Sequence, residues 1–204
     1  ALLPGTLILD IGSGTQDVLF HDPGLELLNC PKFVLPSPAR RVAARIDELT
    51  AQGRSIHLHG LNMGGGFGGA VDRAIKAGRA VTAEPEAAKA LADDPERVRA
   101  MGVDIVDHAP AGAVGVYLAD YDPGFWRAWL SAAGLPQPDA VVAGFHLFEL
   151  TEGEPDADAL IDRTGRALLT GDTVYYTGHC TGDYAYGRLK DILGDRLHRI
   201  RGGM

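Results

Sequence analysis

Asp10 closes an apolar run and is followed at once by a glycine-rich turn: residues 7–20 read LILDIGSGTQDVLF. Leu7 to Leu9 and Ile11 bracket an acidic side chain that a fully buried strand would not tolerate unpaired. Gly12 and Gly14 let the backbone turn tightly and bring its N–H groups close to a ligand. The pattern suits a hairpin whose amides face a phosphate, with Asp10 on a magnesium ion or its water shell. Gly12, Gly14 and Thr15 are then the phosphate contacts. Asp17 and Asp107 are candidate bases for positioning a water, and Gln16 is an alternative orienter of that water. An ordinary glycine-rich β-turn is the plain alternative.

A second glycine cluster lies at IHLHGLNMGGGFGG, residues 56–69. A β-like run enters glycines at 64, 65, 66, 68 and 69, and an Ala-rich helix starts. Exposed amides at a helix N-terminus make an anion site, so Gly64, Gly65 and Gly66 are candidates to cradle a second anion. No Lys-Ser/Thr follows, which excludes a Walker A loop, and the spacing is not the dinucleotide fingerprint.

These residues need a sheet and helices to hold them, and the chain supplies both. Strands are expected at 6–11, 18–21, 55–59, 81–83, 105–108, 114–118, 140–143 and 174–177. Helices are expected at 38–52, 69–77, 85–92, 95–100, 123–133, 156–169 and 183–193. Val42, Ile46 and Leu49 form one stripe of the helix after Pro38, so it packs on a sheet. Pro85, Pro95 and Pro123 suit first helical turns, and Asp94 and Asp122 suit N-caps. The alternation predicts an α/β fold, a mixed β-sheet with flanking helices around one continuous core.

The 204 residues carry a net charge of −8, which argues against nucleic acid and anionic membrane surfaces as partners. The apolar runs are strand-sized and Ala1 opens no recognisable signal peptide, so neither a membrane span nor a leader is expected. Cys30 and Cys180 are too few for a disulfide framework and point to a reducing cytoplasm. They also exclude an iron–sulfur cluster held by three or four cysteines of this chain alone.

The opening motif resembles the first phosphate loop of the actin, sugar-kinase and heat-shock ATPase superfamily. DIGSGTQDVL, LNCPKFVLPSP (28–38), HGLNMGGG (59–66) and DDPERVRAMGVDIVD (93–107) together resemble an uncharacterised prokaryotic family labelled pyruvate formate-lyase activating enzyme-like. The resemblance covers roughly residues 5–140. It implies a fold and a nucleotide or phosphate site, with magnesium as the accompanying ion. It does not imply radical chemistry, because Cys30 is the one cysteine in that region.

From residue 140 the text changes. AVVAGFHLFEL and VYYTGHCTGDYAYGRLKDILGDRLHRIRGG resemble the closing half of metallo-β-lactamase-fold proteins of the dihydropterin-ribofuranosylaminobenzene phosphate synthase type. That resemblance implies a metal-binding histidine at His179, with His146 in or beside the same site. Neutral imidazoles at strand ends suit zinc. The family's His-x-His-x-Asp-His string is absent; the nearest is His57-x-His59-Gly60-Leu61-Asn62. An alternative zinc set is therefore His57, His59, His146 and His179.

The domain expectation is a phosphate-binding α/β region over 1–139 and a metallo-β-lactamase-like region over 140–204, sharing one core. A composite of two partial folds stays open. The function expected is binding of a small phosphorylated ligand or nucleotide, with phosphohydrolase or phosphotransferase chemistry. A zinc-dependent hydrolase, or a non-catalytic relative serving as a scaffold, is the alternative. Trp126 and Trp129, at i and i+3, are expected to leave at least one ring buried, and any homo-oligomer to form through helix faces.

Overall fold

A computed structural model describes residues 5–154 and 156–200. In chain order the elements are β1 (Thr6–Ile11), β2 (Thr15–His21), β3 (Lys32–Pro36), α1 (Pro38–Ala51), β4 (Ile56–Gly60), α2 (Gly68–Lys76) and β5 (Val81–Ala83). There follow α3 (Pro85–Ala88), α4 (Pro95–Ala100), β6 (Val103–Ile105), β7 (Val114–Leu118), α5 (Pro123–Ala132) and β8 (Ala140–Val142). The chain closes with α6 (Ala157–Leu168), β9 (Val174–Thr177), α7 (Asp183–Leu193) and β10 (Leu197–Arg199). The α/β class read from the sequence is what the chain builds, with one mixed and one parallel sheet.

The helix starts follow local chemistry. Asp94 accepts from the Glu96 amide at the head of α4, and Asp122 from Gly124 and Phe125 at the head of α5. Prolines fill the first turns of α1, α3, α4 and α5, where a missing N–H costs nothing.

The chain folds into two compact units. The first takes residues up to Gly12, Gln16–Leu35, and everything from Tyr121 onward. Its six-stranded sheet has the order β10-β9-β8-β1-β2-β3. β1 and β2 form an antiparallel hairpin, while β1, β8, β9 and β10 run parallel. Alternation along β1 sends Leu7 and Leu9 to the core and leaves Asp10 exposed. Trp126 and Leu130 of α5, Leu160 and Ile161 of α6, and Leu189 of α7 join those leucines, Phe20, Val141 and Tyr175 in one apolar cluster. Trp126 is 1% exposed, which meets the expectation of a buried tryptophan, and Trp129 packs edge-on against it and against Phe33.

The second unit takes Ser13–Thr15 and Pro36–Asp120. Its four parallel strands have the order β6-β5-β4-β7. Ile46 and Leu49 of α1, Val71 and Ala74 of α2 and Val98 of α4 cover Ile56, Leu58, Val81, Ala83 and Leu118. β5 is buried on both faces, the usual state of an inner parallel strand.

The single continuous core expected from the sequence is replaced by two cores, because α1 and α2 pack on the second sheet and contribute nothing to the first cluster. Position 139/140 lies inside the first unit, where β8 enters the sheet beside β1 with Thr6 opposite Ala140. The strand expected at 105–108 forms earlier, at Val103–Ile105, after Gly102 (φ 90°) ends α4. β3 and β10 were not expected; one is an edge strand ending in Pro36 and the other is three residues long.

Candidate functional site

In an open α/β sheet the crevice for a ligand lies outside the carboxyl ends of the strands, where the order of strands reverses. In the first unit that point is β1, whose neighbours are β2 and β8. Its carboxyl end is Asp10–Ile11, followed by Gly12. The turns leaving β8 and β9 open on the same edge, since these strands run parallel to β1. They carry Gly144-Phe145-His146 and Gly178-His179-Cys180-Thr181-Gly182. Turns from three strands thus share one sheet edge.

The two turns are locked together. The Leu147 amide donates to the Cys180 carbonyl at 3.0 Å. The Phe145 amide donates to Thr181 Oγ1 at 3.4 Å, and the hydroxyls of Thr177 and Thr181 bond each other. A Cβ on Gly144 would lie 2.0 Å from Cys180 Sγ, so any side chain there would force the thiol to move. His146 holds a left-handed φ of 52°, unusual for a residue with a side chain and a mark of functional or tightly constrained sites. His179 is exposed on the neighbouring turn.

α7 starts on this edge without a side-chain cap, because Gly182 is its N-cap residue. Its first amides are left to solvent or to an anion, and the helix dipole favours the anion. The acid at the head of the helix, Asp183, is ion-paired with Arg199.

Asp10 and Asp17 stand directly opposite each other on β1 and β2, both exposed on the sheet's open face. Like charges directly opposite repel. Between them and Lys32 runs a groove of about 440 Å³ floored by Ile8, Leu19 and Val34. The Lys32 ammonium is bound to the carbonyls of Leu27 and Leu28, at 3.0 and 3.1 Å. Two facing carboxylates are hard oxygen donors, the kind a magnesium ion takes together with water and phosphate. Gln16 is fully buried on the opposite face with Val18 and Phe20, so the hairpin's alternation separates it from Asp17.

The second unit has its own reversal point at β4, between β5 and β7. The glycine loop leaves β4 there. Its Gly64 amide donates to both oxygens of Asp120, at 3.1 and 3.2 Å. The amides of Gly65 and Gly66 donate to no other described residue. A Cβ on Gly66 would lie 3.8 Å from the Ser13 carbonyl. The Ser37 hydroxyl and amide hold the carbonyls of Ser13 and Gly14, at 2.8 and 3.1 Å. The Ser13–Thr15 turn and the second glycine loop, far apart in sequence, therefore approach each other. Asp107 follows β6, two strand spacings or about 10 Å from β4, and is exposed. Asp120 was missed from the sequence, although an apolar run ending in an acid, VGVYLAD, repeats the pattern that singled out Asp10.

The histidines fall into two pairs. His57 and His59 lie on β4 in the second unit, with parallel rings 6.0 Å apart. His57 is buried and its Nδ1 bonds Thr82 Oγ1 at 2.9 Å; burial holds its pKa below the ordinary value. His146 and His179 lie in the first unit. Among the described residues no three His, Cys, Asp or Glu side chains gather where they could hold a metal ion. His57 Nδ1 is held by Thr82, and His59 lies against Tyr117 and Gly115. Among the described residues, no helix is long and apolar enough to cross a membrane.

Known proteins add a limited set of likenesses. No curated protein matches the chain. A crystal structure of an NAD-dependent alcohol dehydrogenase is similar at 15% identity and a TM-score of 0.23, over 89% of this chain and 50% of that one. The chain thus spans about half the length of that enzyme. Neither this likeness nor the family match carries the metallo-β-lactamase resemblance of residues 140–204. Residues 63–147, from the glycine loop through β8 to Leu147, match the model of a family described as "Putative pyruvate format-lyase activating enzyme (DUF1786)", in line with the first of the two resemblances.

Proposed function

We propose that this chain binds a phosphate-bearing small molecule, a nucleotide with its magnesium ion, at the carboxyl edge of the six-stranded sheet. One observation carries the reading: the strand ends of β1, β8 and β9 gather Asp10, the locked turns at 144–147 and 178–182, and the uncapped start of α7 on one edge. Asp10, with Asp17 across the hairpin, would hold the cation. Gly12 would supply a turn amide, and α7 would offer its first amides to a phosphate. Gly65 and Gly66 extend the same chemistry to a second anion in the other unit. Magnesium would supply charge neutralisation between carboxylate and phosphate. Asp17 is the carboxylate beside it that could orient a water, which makes phosphohydrolase or phosphotransferase chemistry the enzymatic form of this reading.

Calorimetry with ATP and magnesium tests it. Binding should need the metal and fall by roughly tenfold or more in Asp10→Asn, about 1.4 kcal/mol or more. Asp107→Asn, after the edge strand β6 of the other unit, should leave it unchanged. No heat at millimolar nucleotide, or an unchanged affinity in Asp10→Asn, sinks the reading.

A further inference from the structure

The amino edge of the six-stranded sheet carries a second concavity that the nucleotide reading does not use. A cavity of about 270 Å³ opens where the chain enters β8 and β9, bounded by α5, residues 137–139 and residues 170–173. Its size lies just below the roughly 300–1,000 Å³ of pockets for drug-sized ligands, so the guest must be small.

The walls are fixed before any ligand arrives. Gln137 donates to the Arg127 carbonyl at 3.2 Å, and Thr173 to the Pro138 carbonyl at 3.2 Å. Arg196 clamps the 168–173 stretch through the carbonyls of Leu168, Leu169 and Thr173. The floor is aromatic: Trp126, Tyr121 and Tyr175 are each at most 6% exposed. Tyr121 and Tyr175 meet edge to face, with ring centroids 5.9 Å apart. Burial raises the pKa of both, so both stay protonated and Tyr175 keeps a proton to give.

Three charges stand around this floor, Arg127, Asp139 and Asp172. None of them forms a side-chain hydrogen bond or ion pair with another described residue. Opposite charges left apart around a small aromatic pocket match a guest that carries both signs itself. A guanidinium and a phenol donor suit a carboxylate, two carboxylates suit an ammonium, and the rings suit an apolar side chain.

We infer that this pocket binds a free apolar or aromatic α-amino acid, with its carboxylate on Arg127 and Tyr175 and its ammonium on Asp139 and Asp172. The inference is independent of the nucleotide site on the opposite edge of the sheet.

The test uses the full chain with L-phenylalanine and L-leucine, beside the half-ligands phenethylamine and 3-phenylpropanoate. Trp126 lies in the floor, so leucine binding is read by tryptophan emission and all four by calorimetry. At least one amino acid should saturate at millimolar concentration, with each half-ligand at least roughly tenfold weaker. Arg127→Gln and Asp172→Asn, both at exposed positions, should each cost roughly tenfold or more while leaving ATP binding untouched. Failure of both amino acids to bind, equal binding of a half-ligand, or full affinity in Arg127→Gln overturns the assignment.

Discussion

The two sheets present their carboxyl edges in opposite electrostatic states. On the six-stranded sheet the acid at the helix start, Asp183, is matched by Arg199, and the first amides of α7 lack a side-chain cap. On the four-stranded sheet an acid sits on the glycine loop itself, with both oxygens of Asp120 against the Gly64 amide. Glycine content would rank the second loop first. The bonds temper that order at Gly64, because an amide that already holds a carboxylate must release it before it can hold a phosphate. The lesson is to count unengaged donors rather than glycines.

The largest effects test whether the two cores are separate. Trp126→Ala and Phe67→Ala should each cost about 3–5 kcal/mol, since both rings are almost wholly buried. Hydrogen exchange should localise the lost protection to the cluster around Leu7 for the first and around Ile56 for the second. Equal loss in both clusters in either variant would break the two-core description.

Next comes the locked edge of the six-stranded sheet. Gly144→Ala drives a methyl into Cys180 and should cost about 1–3 kcal/mol in urea unfolding. Adding Cys180→Ala should recover most of it, because the Sγ that meets the methyl is gone. A neutral Gly144→Ala would show that the two turns do not pack as described. On the other sheet, Asp120→Ala removes a charged acceptor from a part-buried amide and should cost about 1.5 kcal/mol. If the glycine loop takes anions, the same change should tighten phosphate binding there; weaker binding would make Asp120 part of the site rather than its occupant.

The smallest effects are in pH dependence, and they too distinguish the units. Burial depresses the His57 pKa, so the unfolded chain binds the extra proton first. The second unit should keep full stability above the ordinary histidine value of about 6.5 and lose it progressively as pH falls below that. His57→Gln should flatten this slope. In the first unit the hydrogen bond from Arg188 holds Asp162 below the usual carboxylate range. That contribution is present above the unfolded carboxylate pKa and is lost as pH falls through the folded one. Arg188→Gln should remove this small acid-side contribution, small because the pair is partly exposed. A near-neutral slope that survives His57→Gln would assign it to another group.

Local signals made much of this legible beforehand. Proline at a first helical turn with aspartate before it marked α4 and α5, and alternation through Leu7, Leu9 and Asp10 marked β1 with its acid on the open face. The same alternation, taken one strand further, would have put Gln16 inside. What stayed hidden was long-range. Nothing near Gly144 announces Cys180, nothing near Gly64 announces Asp120, and β3 and β10 exist only because a neighbouring strand is there to pair with. Two cores in place of one followed from the same limit, since an amphipathic helix such as α1 does not say which sheet it will cover.

The β1–β3 hairpins and the strands they must meet are separated in synthesis by almost the whole of the second unit. Thr6 pairs across to Ala140, and the whole of 36–120 is translated in between. During elongation the four-stranded unit is almost complete as a contiguous stretch and can close on its own core as it leaves the ribosome. The hairpins, with Leu7 and Leu9 uncovered, must wait for α5 through β10. Their contacts are the non-local ones that slow folding. The nascent chain therefore carries a finished second half beside an unfinished first, and the interval between them is where misassembly and chaperone capture would concentrate.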